Sequence, residues 1–199
     1  MNKIATLSIA LTLVAIAAFK PVKQSELKSI PVNSQLAYNV DFKGEKYQFV
    51  VEVLKKSPEL VFKYNLTMGG GMNATVTISA DAMKTAVNQN NYFNGRDVSL
   101  GDKTTVWVSQ KVFNDITTNG KTSMGDVQGL GIKTTEYSLV GKEKFSTSLN
   151  GDPITLEALH LKATNGSNYE YWIWNNAADP LILKMDLGWG ISIKEINVN

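Results

Sequence analysis

His160 is the single histidine of this chain, so imidazole chemistry can come from one residue only. The chain has no cysteine, so no residue can supply a thiolate. A disulfide framework, a thiolate or multi-histidine metal site and a cysteine nucleophile are therefore excluded. A serine hydrolase would need His160 as its base, yet the sequence has no G-x-S-x-G nucleophile elbow. His160 continues an alternating run with Leu156 and Ala158, which is typical of a partly exposed strand residue. We predict no catalytic residue.

Other catalytic and cofactor motifs are also missing. A glycosidase needs two carboxylates about 5–9 Å apart, which a sequence cannot show, and no aspartic-protease D-[ST]-G triplet is present. Gly120-Lys121-Thr122 resembles the end of a phosphate-binding loop, but that motif requires glycine where Asp115 stands. The glycines of residues 125–131 lack the spacing of a dinucleotide site. The sequence thus predicts a protein that is not an enzyme and that holds no metal or cofactor.

The charges are nearly balanced, with 20 lysines and arginines against 18 aspartates and glutamates and a net charge of +2. Arg96 is the only arginine, so the planar guanidinium that favours phosphate and guanine contacts is almost absent. We therefore expect no nucleic acid partner.

The most informative segment for binding is residues 168–174, NYEYWIW. In a strand, Tyr171 and Ile173 would point to one face, and Trp172 and Trp174 to the other. A strand with solvent on one side would not carry aromatic residues on both, so each face must be covered. The core covers one face, and a helix, a flap, a ligand or a partner covers the other. The predicted ligand-binding residues, beside an opening at Trp172 or Trp174, are Trp107, Tyr171, Trp172, Trp174 and the Trp189 of a Gly-Trp-Gly turn.

Residues 1–18, MNKIATLSIALTLVAIAA, have the organisation of a secretory signal peptide. Lys3 supplies the positive charge, an apolar run follows, and Ala15 and Ala17 fit the small-residue cleavage pattern. A membrane span needs about 20 apolar residues, and Lys20 ends this run sooner. We therefore expect export to the periplasm or the extracellular space, with no stable membrane span after cleavage.

The rest of the chain is predicted to form a flexible leader over residues 19–35 and one β domain over residues 36–199. The leader is polar, contains Pro21 and Pro31 and shows no period, which is typical of a mobile or loosely docked arm. Period-two alternation dominates afterwards, for example at Tyr47, Phe49 and Val51. Predicted strands cover residues 46–54, 60–68, 74–79, 104–108, 132–140, 143–149, 154–163, 168–174, 181–187 and 191–198.

Short turns such as Gly141-Lys142 separate these strands, which favours an antiparallel meander of roughly nine to eleven strands. Two short helices are predicted, each beginning at a capping serine, Ser79 or Ser109. Each carries an apolar stripe and is too short to be stable alone, so it must pack on the sheet. Residues 88–95 and 120–131 are predicted to be long loops, either a flap over a cavity or surface connections.

Two parts of the chain carry a family resemblance. Residues 36–45, LAYNVDFKGE, open the domain, and residues 171–174, YWIW, followed by residues 179–184, DPLILK, close it. This combination resembles uncharacterised exported bacterial proteins of the domain-of-unknown-function kind, which look like relatives of the LolA-type periplasmic lipoprotein carriers. The resemblance implies a curved antiparallel sheet that forms a half-barrel around an apolar ligand space. It implies no catalytic residue, because these positions match no catalytic signature.

These observations predict an all-β fold, a single curved antiparallel sheet in the form of a half-barrel or open barrel, with two short helices packed on it. The predicted function is that of an exported, non-enzymatic binding protein for a lipid-like apolar or amphiphilic ligand. The alternative is a structural or assembly component of the cell envelope that contacts another protein through an exposed aromatic edge.

Overall fold

A computed structural model of the chain describes residues 23–24, 27–128 and 131–198. The predicted signal peptide, residues 1–18, lies outside the described residues, as does the beginning of the predicted leader. The described part forms one 14-stranded sheet and two α-helices, so the prediction of an all-β domain with one curved sheet and two short helices is confirmed. Neither of these helices has the length and apolar composition needed to span a bilayer.

Strands and helices are numbered in chain order. The strands of the described residues are β1 (Lys23–Gln24), β2 (Gln35–Phe42), β3 (Glu45–Lys55), β4 (Leu60–Leu66), β5 (Met72–Ile78), β6 (Asn88–Asn90), β7 (Val98–Leu100), β8 (Lys103–Thr104), β9 (Lys121–Gln128), β10 (Gly131–Leu149), β11 (Asp152–Ala163), β12 (Glu170–Trp174), β13 (Ile182–Asp186) and β14 (Gly190–Asn197). The helices are α1 (Ala80–Thr85) and α2 (Gln110–Asn119), and a short 3-10 helix covers Met68–Gly70.

Two antiparallel meanders make up most of the sheet. β2 to β5 form the first and β9 to β14 form the second, and an antiparallel pairing of β14 with β2 joins them. The parallel pairings involve the short strands β1, β6, β7 and β8 and one contact between β10 and β14. That last pairing closes β10 to β14 into a ring of five strands, so this half of the sheet curves onto itself.

Both helices begin where the sequence predicts, because the capping contacts are local. The Ser79 hydroxyl accepts a hydrogen bond from the Ala82 amide at 3.0 Å, and the Ser109 hydroxyl accepts one from the Val112 amide at 3.2 Å. These bonds satisfy backbone donors that the first turn of a helix leaves unpaired. α2 then buries its apolar face against the second meander.

The sheet buries side chains on both faces, in two hydrophobic clusters. The first cluster contains residues of β2 to β5, β14 and the first half of β11. The second lies under α2 and contains residues of the second half of β11, of β12 and of β13. β12 is consequently covered on both faces, as its aromatic sequence requires. Tyr171 and Ile173 belong to the second cluster, and Trp174 belongs to the first.

Several details of the strand prediction are wrong. The loop predicted over residues 120–131 contains β9, which pairs with β10. Its inward face carries the buried polar residues Thr122 and Asp126, so the apolar alternation that marks a strand is missing. The turn predicted at Gly141-Lys142 is a bulge within β10, where the register against β11 shifts between Leu139 and Gly141. Short strands such as β6 and β8 raise the number of described strands above roughly nine to eleven.

Part of the predicted leader packs against the domain. Ile30 has no exposed surface, and its amide donates a hydrogen bond of 2.5 Å to Oδ2 of Asp179. Asp179 is itself buried and also accepts hydrogen bonds from Lys56 Nζ at 2.5 Å and from the Trp107 indole at 2.7 Å. One carboxylate therefore ties three distant segments of the chain to the connection between β12 and β13.

Candidate functional site

A cavity of about 430 Å³ opens between the first meander, β13 and the turn before β14. It lies where the two hydrophobic clusters meet, since its walls take Phe49 from the first cluster and Met185 from the second. The described lining residues are apolar or aromatic apart from Asn91 and Thr105, and none of them is charged. The aromatic ones are Tyr38, Phe42, Tyr47, Phe49, Tyr92, Phe93 and Trp189.

The register of β2 and β3 places the aromatic wall. Tyr38 lies opposite Phe49, and Val40 lies opposite Tyr47. Residues two apart on a strand share a face, so these four side chains form one patch on the inner side of the sheet. Tyr38 Oη donates a hydrogen bond to the carbonyl of Ile182 in β13 at 3.0 Å, which joins two walls. Burial raises the pKa of Tyr38, so the phenol remains a neutral donor.

The segment after β6 forms a further wall. The ring of Phe93 lies with its centroid 4.8 Å from those of both Phe49 and Tyr64. The Gly95 amide donates a hydrogen bond to Tyr64 Oη at 2.9 Å, which holds the segment against the first meander. The long loop predicted over residues 88–95 is partly wrong, because residues 88–90 form β6. The remainder agrees with a segment that covers a cavity, since residues 91–93 line it.

The rim of the cavity is aromatic and partly exposed. Tyr92 is 55% exposed and Phe42 is 39% exposed, and the rings of Phe42 and Trp189 have their centroids 6.2 Å apart. Lys43 Nζ lies 5.5 Å from the centre of the Phe42 ring. Large apolar side chains exposed around an opening favour contact with an apolar ligand.

Val106, in the wall, has an uncommon backbone conformation. Its φ is 65°, a region that β-branched residues rarely adopt. The Trp107 amide donates to the carbonyl of Thr105 across this residue at 2.7 Å, and the Ile182 amide holds the Val106 carbonyl at 2.8 Å. Backbone strain that neighbouring bonds keep in place is concentrated at ligand sites and switch regions.

A buried polar network lies behind the cavity at Asn91. Asp126 is 4% exposed and accepts hydrogen bonds from Tyr171 Oη at 2.6 Å and Tyr137 Oη at 3.2 Å. Asn91 Nδ2 donates to Oδ1 of the same carboxylate at 3.3 Å. The parallel pairing of β6 with β9 brings the two residues together, since Gln89 lies opposite Asp126. Burial raises the pKa of Asp126, and the hydrogen bonds from the phenols and the amide partly oppose that effect.

The raised pKa of Asp126 makes stability depend on pH. Between the ordinary pKa of 3.8 and the raised value, the folded state binds more protons than the unfolded chain. The contribution of Asp126 to the free energy of unfolding therefore falls as the pH rises through that window. We expect the wild type to lose stability relative to Asp126→Asn as the pH is raised from 3.8 through the raised pKa, measured by urea denaturation at each pH.

Glu143 provides the control, because its pKa shifts in the opposite direction. The Trp172 indole N–H, and next the His160 ring, hold the pKa of the Glu143 carboxyl below its usual value of 4.5. The wild type should therefore gain stability relative to Glu143→Gln as the pH rises toward 4.5. A dependence of the same sign for the Asp126 and Glu143 variants would contradict this account.

The five aromatic residues that the sequence predicts to bind a ligand do not line one cavity in the structure. Trp189 lines the cavity, and Trp107, Tyr171, Trp172 and Trp174 are not among its lining residues. Trp107, Tyr171 and Trp174 are at most 5% exposed, and the first two donate hydrogen bonds to buried carboxylates. The aromatic cavity opens at Trp189 rather than beside Trp172 or Trp174.

Trp172 is partly buried against the first hydrophobic cluster and also contacts the only histidine of the chain. Its ring stacks on His160 of β11 with 4.3 Å between centroids, and Lys184 Nζ of β13 lies 4.1 Å from the ring centre. Glu143 accepts the indole N–H at 2.9 Å and lies 2.7 Å from His160 Nδ1. One face of the Trp172 indole and one face of the His160 imidazole thus cover each other. Over the described ranges, no three histidine, aspartate or glutamate side chains group as metal ligands.

Sequence reasoning missed most of the cavity wall. Tyr47 and Phe49 are visible as one apolar face of a strand, but a packed core and a cavity wall produce the same alternation. Phe93 and Ile191 reach the same cavity from segments far apart in the chain. No signal in the sequence alone could have brought these residues together.

Comparisons with protein-family models, with curated proteins and with solved structures found no match to this chain. The resemblance based on residues 36–45, 171–174 and 179–184 therefore stays a prediction. The function of the chain is accordingly inferred from the geometry of the cavity.

Proposed function

We propose that this chain is a non-enzymatic binding protein that holds a lipid-like apolar or amphiphilic small molecule in the cavity beside Trp189. The observation that carries the proposal is a cavity of about 430 Å³ with an aromatic rim and, among its described lining residues, no charge. Small-molecule pockets span about 300–1,000 Å³ and are mostly apolar. Because an apolar cavity of about 150 Å³ holds benzene, this one has room for a larger ring system or an alkyl chain.

The apolar surface of the cavity walls supports the same proposal. The described lining residues offer few hydrogen-bond partners to water, and apolar surface that stays in contact with water lowers stability. The strained backbone of Val106 adds to that cost at the same wall. A ligand that fills the cavity would restore dispersion contacts with the aromatic walls and offset both effects.

Binding without catalysis agrees with the chemistry of the walls. The described lining residues offer phenol, hydroxyl and amide groups, with no carboxylate or amine among them. His160, the only imidazole of the chain, stacks on Trp172 and is not a lining residue. General acid–base chemistry most often uses a group of one of these kinds within hydrogen-bond reach of the ligand.

Export to the periplasm or the extracellular space is part of the proposal. It is supported by the signal-peptide pattern of residues 1–18 and by the lack of cysteine, which suits a protein that stays folded without disulfides in an oxidising compartment. The test is expression of the full chain in a Gram-negative bacterium, with fractionation and mass measurement of the product. We expect a periplasmic product that begins after Ala17 or Ala18, and a full-length cytoplasmic product would contradict this part. Contact with an envelope protein, the alternative function, stays a prediction.

A fluorescence titration with N-phenyl-1-naphthylamine, a neutral apolar probe, tests the binding proposal. Trp189 lines the cavity and Trp172 does not. We therefore expect Trp189→Ala to weaken probe binding about tenfold, and the matched Trp172→Ala to leave the dissociation constant unchanged. Circular dichroism establishes that both variants are folded.

The titration can fail in two informative ways. If the wild type shows no saturable binding of the probe, the proposal is wrong. If Trp172→Ala weakens binding as much as Trp189→Ala does, the probe does not depend on this cavity, and the assignment of the site is wrong.

A further inference from the structure

We infer that the cavity takes a neutral amphiphile whose polar end donates a hydrogen bond, such as an alcohol, and that it rejects carboxylates. This inference rests on the proposed function and deepens it by naming the ligand class. It depends on how the buried carboxylate of Asp126 orients the amide of Asn91.

Asn91 is the described lining residue with an amide side chain. Its Nδ2 lies 3.3 Å from Oδ1 of Asp126. The amide nitrogen is the donor in this contact, so the amide oxygen points away from Asp126. Because Asn91 lines the cavity, its amide oxygen is the acceptor that it can offer to a ligand there.

The orientation of Asn91 is supported by the rest of the buried network. The hydroxyl of Tyr171 donates to Oδ1 of Asp126 at 2.6 Å, and that of Tyr137 donates to Oδ2 at 3.2 Å. Both tyrosines have no exposed surface, so neither can turn toward water without disturbing the second hydrophobic cluster. The carboxylate is held in place, and the acceptor on Asn91 is preorganised for a donor.

A carboxylate ligand would meet unfavourable surroundings at this end of the cavity. The oxygen of Asn91 would face it as a second acceptor, and the buried carboxyl group of Asp126 lies directly behind that amide. No lysine or arginine is among the described lining residues, and Lys43 lies at the rim over the Phe42 ring. Moving an ion out of water without a partner costs far more than moving a hydroxyl, so selection against anions follows.

Three ligands of the same chain length test this inference: 1-decanol, methyl decanoate and decanoate. Each is used to displace N-phenyl-1-naphthylamine from the wild type at about pH 8, where the acid is ionised. The alcohol can donate to Asn91, the ester can only accept, and the acid carries a charge. We expect the alcohol to bind about tenfold more tightly than the ester, because the ester leaves the acceptor unpaired. Decanoate should bind most weakly.

Variants at the polar end separate the two effects. Asn91→Leu removes the acceptor and should abolish the difference between alcohol and ester. Asn94→Leu is the matched control, because Asn94 lies in the same segment, is exposed and is not a lining residue. Asp126→Asn replaces the buried carboxyl group behind Asn91 with a neutral amide and should reduce the discrimination against decanoate.

The outcomes distinguish this inference from the proposed function. Equal binding of the three ligands, tightest binding of decanoate, or an unchanged alcohol preference in Asn91→Leu would overturn the inference and leave the proposed function standing. If the fluorophore itself does not bind the wild type, the proposed function fails and the inference fails with it. If a variant does not fold, the relative binding of the three ligands to the wild type still tests the inference.

Discussion

Replacing Asp179 with alanine is expected to lower the free energy of unfolding by about 3 kcal/mol, the lower end of the range for a broken buried ion pair. Asp179 has a side chain that is 1% exposed, and Lys56 has one that is 26% exposed. The Lys56 ammonium can therefore be partly hydrated in the variant, which limits the loss in the free energy of unfolding. The amide of Ile30 and the indole of Trp107 cannot do so, because both residues are buried. Each would be left as an unsatisfied donor, at about 1–3 kcal/mol.

Urea denaturation followed by circular dichroism measures this effect. Asp102→Ala is the matched control, since Asp102 has a side chain that is 71% exposed and, among the described residues, pairs with the neighbouring Lys103. It should change stability by no more than about 0.5 kcal/mol. A loss below about 1 kcal/mol for Asp179→Ala would show that these contacts do not hold the leader and the sheet together.

Local contacts explain what the sequence could predict about the fold. The Ser79 cap joins the serine hydroxyl to the amide of Ala82, three residues away, so the pattern is complete within one segment. The alternation of β4 is likewise local, because Phe62 and Tyr64 are buried and Lys63 between them is exposed. Both features follow from the order of neighbouring residues.

Contacts between distant segments explain what could not be predicted. Asp179 stands before Pro180, and an Asp-Pro pair is common in ordinary turns. Its burial depends on Ile30 and Trp107 from elsewhere in the chain. The cavity likewise depends on register between strands, such as Val40 opposite Ile191. A single sequence does not contain that register.

The error at β9 has a functional explanation. Its inward face holds Thr122 and Asp126, both buried, where an ordinary strand would place apolar residues. Asp126 belongs to the polar network that orients Asn91 behind the cavity. A strand that carries such a network loses the apolar alternation by which strands are recognised, and sequence rules fail most often at sites of this kind.

Replacing Val40 with tryptophan is expected to weaken binding of N-phenyl-1-naphthylamine about 100-fold, which corresponds to roughly 2.8 kcal/mol. Val40 is 4% exposed and lines the cavity, between Tyr47 on β3 and Ile191 on β14. An indole at this position would occupy the space that the ligand needs. The cavity has room for the added rings, so the free energy of unfolding should not fall by the 1–3 kcal/mol typical of an overpacked core.

Val140→Trp is the matched control, because Val140 is 59% exposed on β10 and is not a lining residue. It adds the same side chain at the surface and should leave the dissociation constant of the probe unchanged. Should Val40→Trp fail to fold, Ile191→Phe fills the cavity from the neighbouring strand with a smaller increase in volume. Full binding by a folded cavity-filling variant would mean that the ligand lies elsewhere. Lost binding with retained stability has one physical source, the loss of cavity volume, because neither the charge of the protein nor its polar network changes.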